Sequence, residues 1–158
     1  MEDKIIAKDI IIKAKDLNSN VRKNIEKKLE SLENTCTQEN GYIIKFIKIL
    51  EIKNNKILEN SGNVLLKVKF FAKVLKPYVG AVLRSKITMI FRHGIFCEYN
   101  TMPILVPYTK LVGYNFMNST FQRDNNILKI HDYINVVITD IRYSKNKFNC
   151  IGSLKIKF

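Results

Sequence analysis

The side chains with the clearest chemical potential are three cysteines and two histidines. Of these, His93 and Cys97 lie closest together, in the stretch "IFRHGIFCEY". A nucleophilic cysteine needs a histidine base and an orienting carboxylate within hydrogen-bond reach. Gly94 interrupts the strand alternation between His93 and Cys97, while Cys36 and Cys150 have no histidine near them in the sequence. The simpler interpretation is that the cysteines are small core hydrophobes. The sequence therefore predicts a chain without catalytic residues of its own.

The same residue types bind metals, but their spacing does not favour a metal site. Structural zinc is held by paired ligands that lie two to four residues apart. The sequence contains no C-x-x-C or H-x-x-x-H pair, so a site would have to be assembled from His93, Cys97, His131 and Cys150. A phosphate-binding G-x-x-x-x-G-K-[ST] loop is also missing. We expect neither a metal nor a cofactor.

The charge indicates a polyanionic partner. Lys and Arg number 27 against 14 Asp and Glu, a formal net charge of +13. Such an excess is typical of proteins that bind nucleic acid, membrane surfaces or acidic proteins. The second half of the chain, from Gly80 onward, holds only four acidic residues, Glu98, Asp124, Asp132 and Asp140. Few carboxylates offset the positive charge of this half, so the polyanion is expected to bind there.

Targeting signals and cysteine usage indicate a reducing compartment. The N-terminal "MEDKIIAKDI" carries charges from its second residue, which argues against a signal peptide. No run reaches the ~18–20 apolar residues that a membrane span needs. An odd number of cysteines without a close pair favours free thiols. We expect no membrane partner.

The elements of the first half predict a small α+β unit. "KIIAKDIIIKAKDL", "GYIIKFIKILEI" and "VLLKVKFFAKVL" are apolar and β-branched, which is typical of strands. "KNNK" is predicted as a turn and "ILENSGN" as a loop. Val21, Ile25, Leu29 and Leu32 recur at helical spacing, and Asn18 or Asn20 is placed to cap that helix. One helix on three or four antiparallel strands is expected.

The second half predicts a barrel. Pro77 and Gly80 interrupt the pattern, and we place the boundary between residues 1–78 and 79–158 there. Five short strands follow, and the polar connection 109–133 between the third and the fourth is long enough for a short helix. This arrangement is typical of a five-stranded OB-fold barrel.

An OB barrel suggests single-stranded nucleic acid as the polyanion. Such barrels bind it through cations that follow the backbone and rings on which bases stack. Two predicted turns of the second half combine both residue types. In the strand after the first turn, Ile95, Cys97 and Tyr99 share one face, which we expect to be core, so Phe96 is expected on the exposed face. The candidate RNA-binding residues are Arg92, His93, Phe96, Arg142, Tyr143, Lys145 and Lys147.

Four stretches in this order resemble the family of the seventh-largest subunit of RNA polymerase II, with its archaeal and polymerase I and III counterparts. They are "CTQENGYIIKFIKI", "GNVLLKVKFFAKVLKPYVGAVL", "HGIFCEY" and "IGSL". The resemblance implies an N-terminal RNP-like domain and a C-terminal OB-fold of the ribosomal-protein S-one type. It also implies a non-catalytic stalk subunit that pairs with the fourth-largest-type subunit, docks near the clamp of the polymerase core, and contacts nascent single-stranded RNA near the exit channel.

The resemblance also assigns residues and a location. His93 matches the histidine of the family's "HG" pair, and Phe96 matches an aromatic position that faces RNA. The expected location is the nucleus for a cellular protein, and the host cytoplasm (virus factory) or the virion for a viral one. Pro107 departs from the pattern, because many S-one-type barrels have a histidine there. The loop that matches the core-docking tip consists of Glu59, Asn60, Ser61, Gly62 and Asn63.

Two alternatives remain open at this point. A free-standing OB-fold RNA-binding factor of the translation-initiation type would share the barrel but has no need of the first half. A purely structural bridge would use the positive charge to bind acidic protein surfaces.

Overall fold

The computed structural model describes residues 1–58 and 61–155. They form two compact units, Met1–Lys76 and Pro77–Phe158. Within the described residues, no helix has the length and apolar character needed to cross a membrane. The helix is α1 (Val21–Glu30), and the strands are β1 (Glu2–Ile12), β2 (Cys36–Thr37), β3 (Gly41–Ile57), β4 (Val64–Leu75), β5 (Val82–Phe91), β6 (Gly94–Tyr99), β7 (Met102–Pro107), β8 (Asn115–Met117), β9 (Thr120–Arg123), β10 (Asn126–Leu128), β11 (Tyr133–Ser144) and β12 (Lys147–Leu154).

The first unit is one antiparallel sheet with α1 on one face. The strand order is β1-β4-β3-β2. Ile25 and Leu29, one helical turn apart, are buried and join a core of strand residues that includes Phe70. The predicted α+β class is confirmed for this unit.

The start of α1 uses a different cap from the usual one. Asn20 occupies the N-cap position, but its side chain makes no capping hydrogen bond. Instead, the Asn20 backbone N–H donates to Oδ1 of Asn18 at 2.8 Å. Asn18 therefore stabilises the turn that leads into the helix, and Leu32 packs on the core from beyond the helix end.

Strand β3 is longer than predicted, and the expected turn at "KNNK" is wrong. The strand continues to Ile57, which pairs with Val64 of β4. A register shift between Asn54 and Lys56 accommodates the polar residues as a β-bulge. The connection between β3 and β4 is consequently a short tip after Ile57.

Further bulges in β3 make every third residue, rather than every second, face the same side of the sheet. Register shifts follow Ile43, Phe46 and Ile49, and these residues pair with Val74, Ala72 and Phe70 of β4, which alternate at the normal period of two. Each shift leaves one extra residue, and two of these, Ile47 and Leu50, are exposed by 45% and 41%. The bulges thus turn one apolar row, Ile43, Phe46 and Ile49, toward the core, with Phe46 only partly buried. They leave Ile47 and Leu50 on the surface, whereas Ile44 is half-buried.

The second unit is built around a closed barrel with the order β11-β12-β7-β6-β5. Neighbouring strands are antiparallel except β12 and β7, which are parallel. The five-stranded OB-type architecture is confirmed. Two of its hairpins turn through pairs of residues with positive φ, Asn100–Thr101 and Lys145–Asn146, as tight two-residue hairpins require.

The connection between β7 and β11, which is long enough for a short helix, forms three short strands instead. It begins with a three-residue 3₁₀ turn and then forms the small sheet β10-β9-β8. Phe116 and Phe121 pack their rings at 5.4 Å across this sheet, and Phe121 is buried. Aromatic residues around a turn with positive φ at Asn118 and Ser119 favour a hairpin over a helix.

Candidate nucleic-acid interface

The turn between β5 and β6 carries two of the predicted residues. Arg92 and His93 are both exposed. The His93 carbonyl accepts a hydrogen bond from the Tyr108 N–H at 2.9 Å, which ties the turn to the end of β7. Gly94 has a φ of 155°, and a Cβ there would lie 2.3 Å from the Val106 carbonyl oxygen. The glycine is therefore required for the turn to approach β7 this closely.

Phe96 belongs to a group of three rings beside this turn. Its ring lies 5.4 Å from that of Phe91 at an interplanar angle of 21°, and Phe91 meets His93 edge-on at 5.9 Å. Phe96 is half-buried, whereas Ile95 and Cys97 are in the core, as predicted from the alternation. The three rings provide a supported aromatic surface next to the exposed Arg92.

Sequence reasoning missed Phe91 as part of this surface. The register of the hairpin pairs Phe91 with Gly94 and Met89 with Phe96. Met89, 52% exposed, extends the same outward face. Pairing the two strands around the "RH" turn would have placed Phe91 beside His93, so the signal was present in the sequence.

The turn between β11 and β12 carries the second predicted group. Arg142, Lys145 and Lys147 are exposed. Tyr143 is half-buried, and its ring packs at 5.0 Å on that of Phe148. Its hydroxyl donates to Asn146 Oδ1 at 3.4 Å. Three of the four side chains therefore face solvent as cations, while Tyr143 is held by its own hairpin.

The structure does not bring the two groups together. Gly94 pairs with Pro107 at the end of β7, whereas Lys147 lies three residues before Cys150, which pairs with Ile104. The two turns therefore lie at opposite ends of β7. At ~3.3 Å per residue, roughly 20 Å of strand separates them. A ligand that contacts both must extend along the outward face of β6 and β7.

Part of the predicted docking tip is visible between β3 and β4. Ser61, Gly62 and Asn63 are described, whereas the predictions for Glu59 and Asn60 lie outside the described residues. Gly62 has a φ of +68°, and its N–H donates to the Leu58 carbonyl at 3.0 Å. No atom lies within 4 Å of the position that a Gly62 Cβ would take. Gly62 thus lies in a turn that bonds back to Leu58, with open space beside it.

The thiols and imidazoles considered for catalysis or metal binding lie in different environments. Cys97 and Cys150 are buried, and burial raises the pKa of Cys97 to about 12 and that of Cys150 to about 11. His93 and His131 are exposed. In the described part of the chain, no three His, Cys, Asp or Glu side chains form a group that could hold a metal ion. Because Cys97 and Cys150 are buried in the core and their pKa values are raised, their thiols stay neutral, and neutral thiols are poor nucleophiles.

Known proteins resemble this chain along most of its length. A family model described as "SHS2 domain found in N terminus of Rpb7p/Rpc25p/MJ0397" matches residues 9–62. DNA-directed RNA polymerase II subunit rpb7 of Dictyostelium discoideum is 28% identical, over 78% of this chain and 76% of that protein. The RPB7 subunits of Glycine max and Saccharomyces cerevisiae are 25% and 26% identical, over 88% and 82% of this chain and 83% and 80% of their own lengths. With its helix-on-sheet unit and its five-stranded barrel, the chain is similar to the Rpb7 subunits of RNA polymerase II along most of its length.

Proposed function

We propose that this chain is the non-catalytic stalk subunit of a multisubunit DNA-directed RNA polymerase. The observation that carries the proposal is the match to polymerase II subunits from three organisms, which extends over both units of the chain. In this role it pairs with a fourth-largest-type subunit, docks near the clamp and contacts nascent single-stranded RNA. The proposal places it in the nucleus of a cell, or in the cytoplasmic factory or the virion of a virus.

The outward face of β6 and β7, with the turns at its two ends, supports the RNA contact. Phe91, Phe96 and His93 supply rings, and Arg92 supplies a cation beside them. The rings are held by one another, so a base that stacks there meets a preformed surface. Rings flanked by cations suit single-stranded RNA, because every base has a π-face and every linkage a charge.

Replacing Phe96 with alanine is expected to weaken RNA binding by about 1–3 kcal/mol, because the stacking partner of one base is lost. The measurement is fluorescence anisotropy of the full chain with a labelled oligouridine at several salt concentrations. The slope of log affinity against log salt should stay unchanged, since no charge is removed.

Tyr78→Ala is the matched control for this substitution. It removes an exposed ring, 67% accessible, from the same unit. Its RNA affinity should equal that of the unchanged chain. Equal losses from both substitutions would assign the effect of Phe96→Ala to folding and would exclude Phe96 from the RNA contact.

The first unit supports docking and pairing through two different surfaces. The tip around Gly62 is exposed and open, which suits insertion between core subunits. Ile47 and Leu50 are exposed bulge residues of β3, and Ile5, 55% exposed, adds to the apolar surface of this unit. Apolar side chains in such a row suit a protein partner more than water.

Two variants should separate these contacts in a tagged pull-down from the native source, with the recovered chains identified by mass spectrometry. A chain in which residues 59–63 are replaced by a two-residue turn should lose the large polymerase subunits but retain one small partner chain. Ile47→Lys with Leu50→Lys should lose the small partner, because two cations would be buried unpaired.

The unchanged chain is the reference for both variants. Recovery of the large subunits by the shortened tip would contradict the docking assignment. Recovery of ribosomal or initiation components by the unchanged chain would instead favour a free-standing RNA-binding factor.

A further inference from the structure

The barrel unit contains a groove that none of the predicted RNA-binding residues line. Its volume is about 520 Å³. Its walls come from the first residues of β11, the end of β12, Arg84 of β5 and the hairpin between β9 and β10. Side chains that bear charge, a ring or an amide predominate in this lining, and they include Arg84, Arg123, Lys155, Tyr133, Asn126 and Asn135.

One wall of the groove carries the Tyr133 ring, which Arg84 contacts. The Arg84 guanidinium carbon lies 5.3 Å from the centre of the Tyr133 ring, a cation–π contact. Tyr133 nevertheless remains 57% exposed. Beside it, the Lys155 N–H donates to the Asn135 carbonyl at 2.9 Å, which fixes the backbone of Lys155 at the rim. A flat ligand thus meets a ring whose position is set by its neighbours.

The opposite wall positions a second guanidinium. Gly113 has a φ of +82°, and a Cβ there would lie 3.0 Å from Nε of Arg123. Any larger residue would have to displace the Arg123 side chain. Because Gly113 has no side chain, the half-buried Arg123 side chain can lie against its backbone at the groove.

The groove is electropositive. Arg84, Arg123 and Lys155 face it together with one carboxylate, Asp124. The ion pairs within residues 1–58 and 61–155 all lie in the first unit and leave these three cations without a carboxylate partner. Cations that are not neutralised by the protein attract a polyanion.

We propose that this groove binds single-stranded RNA, with one base stacked on Tyr133 and the adjoining phosphates held by Arg123 and Lys155. The inference rests on the proposed RNA contact and adds a second subsite to it. Asn126 and Asn135 supply amides for the edge of the base. A ring and two amides suit a nucleobase, whereas an acidic peptide would need only the cations.

The groove lies at the end of the barrel that carries the turn of Arg92 and His93. Strand β12 runs parallel to β7, so Leu154 and Lys155, which line the groove, lie toward the Pro107 end of β7. Pro107 pairs with Gly94, directly after the turn. RNA that contacts the turn and the groove therefore does not need to cross to the other end of β7.

The test of stacking uses anisotropy of a labelled oligouridine with the purified full chain. Tyr133→Leu should lower the RNA affinity about 5- to 150-fold, the effect of losing one stacked base. Tyr133→Phe keeps the ring and should bind within twofold of the unchanged chain. Equal affinities of the Leu and Phe variants would overturn the stacking role.

The test of phosphate contact uses the salt dependence. Arg123→Gln with Lys155→Gln should reduce the slope of log affinity against log salt by about 1.4, since each single-strand phosphate contact contributes about 0.7. Lys23→Gln with Lys27→Gln removes the same charge from exposed positions of α1 and should leave the slope unchanged. Equal slopes for the two double variants would overturn the groove as an RNA subsite.

Three further outcomes separate this inference from the proposed function. Loss of RNA affinity in Phe96→Ala, with no change in the groove variants, would retain the RNA contact and overturn the groove. No RNA binding by the unchanged chain would overturn both. In a competition experiment, polyglutamate of equal charge could displace the RNA from the unchanged chain and from the Tyr133→Leu variant at the same concentration. That result would overturn the RNA subsite and assign the groove to an acidic peptide.

Discussion

Replacing Phe70 with alanine is expected to lower the free energy of unfolding of the first unit by about 3–5 kcal/mol, the usual cost of removing a buried phenylalanine. Phe70 is fully buried, and its ring lies 5.9 Å from that of Phe46. It pairs with Ile49 of β3 and Ile6 of β1, so it occupies the centre of the sheet. The measurement is urea denaturation followed by circular dichroism.

Phe71→Ala is the matched control, because Phe71 is the next residue of β4 and points to the opposite face. Phe71 is half-buried, so its removal should cost only about 1 kcal/mol. An equal loss for both substitutions would contradict the placement of the core on the Phe70 face. The comparison also matters for function, because β4 forms one side of the tip that is proposed to dock.

Replacing Gly94 with alanine is expected to destabilise the barrel by about 3 kcal/mol, at the upper end of the range for over-packing. The new Cβ would lie 2.3 Å from the Val106 carbonyl oxygen and 3.0 Å from the Pro107 Cα. Both are backbone atoms, so β6 and β7 would have to separate. Thermal unfolding of the full chain measures the loss as a lower transition temperature.

Gly80→Ala separates the clash from the backbone cost. Gly80 has a φ of +94°, and no atom lies within 4 Å of its Cβ position. Alanine there should cost about 1 kcal/mol, because only the positive φ is unfavourable. If Gly94→Ala were no more harmful than Gly80→Ala, the close approach of β6 to β7 would be wrong.

The elements that could be predicted are those in which the local pattern and the tertiary packing agree. The helix followed from the spacing of Val21, Ile25 and Leu29, and the barrel strands from short β-branched runs. In β6 the alternation alone placed Ile95 and Cys97 in the core. Each of these segments has a regular period, so its buried face can be identified before its neighbours are known.

The segments that the sequence did not predict correctly depend on how they pair with a neighbouring strand. The bulges of β3 repeat every three residues, a spacing that no single strand requires and that only pairing with β4 reveals. The polar "KNNK" had the composition of a turn, yet its backbone continues the ladder to Ile57. The connection after β7, where the sequence left room for a short helix, forms a small sheet in which Phe116 and Phe121 are in contact.

The candidate site divides in the same way. The residue types of the interface, a cation, an imidazole and Phe96 around one turn, were evident from the sequence. That Phe91 supports the ring of Phe96 required the hairpin register. The separation of the two basic turns required the closure of the barrel, because strand direction around the closed sheet decides which turns share an end.

By itself, the sequence indicated the resemblance to a family of polymerase subunits, the α+β and OB-type architectures, the excess of positive charge and the core side of β6. These depend on composition and on periods that repeat within a few residues. Only the tertiary structure decided which cations and rings share a surface, and it alone assembled the groove of Arg84, Arg123 and Tyr133. Those three residues come from β5, β9 and β11, and the pairing of β5 with β11 beside the small sheet brings them together. Contacts between residues so far apart in the chain arise from closing long loops, for which no local pattern exists.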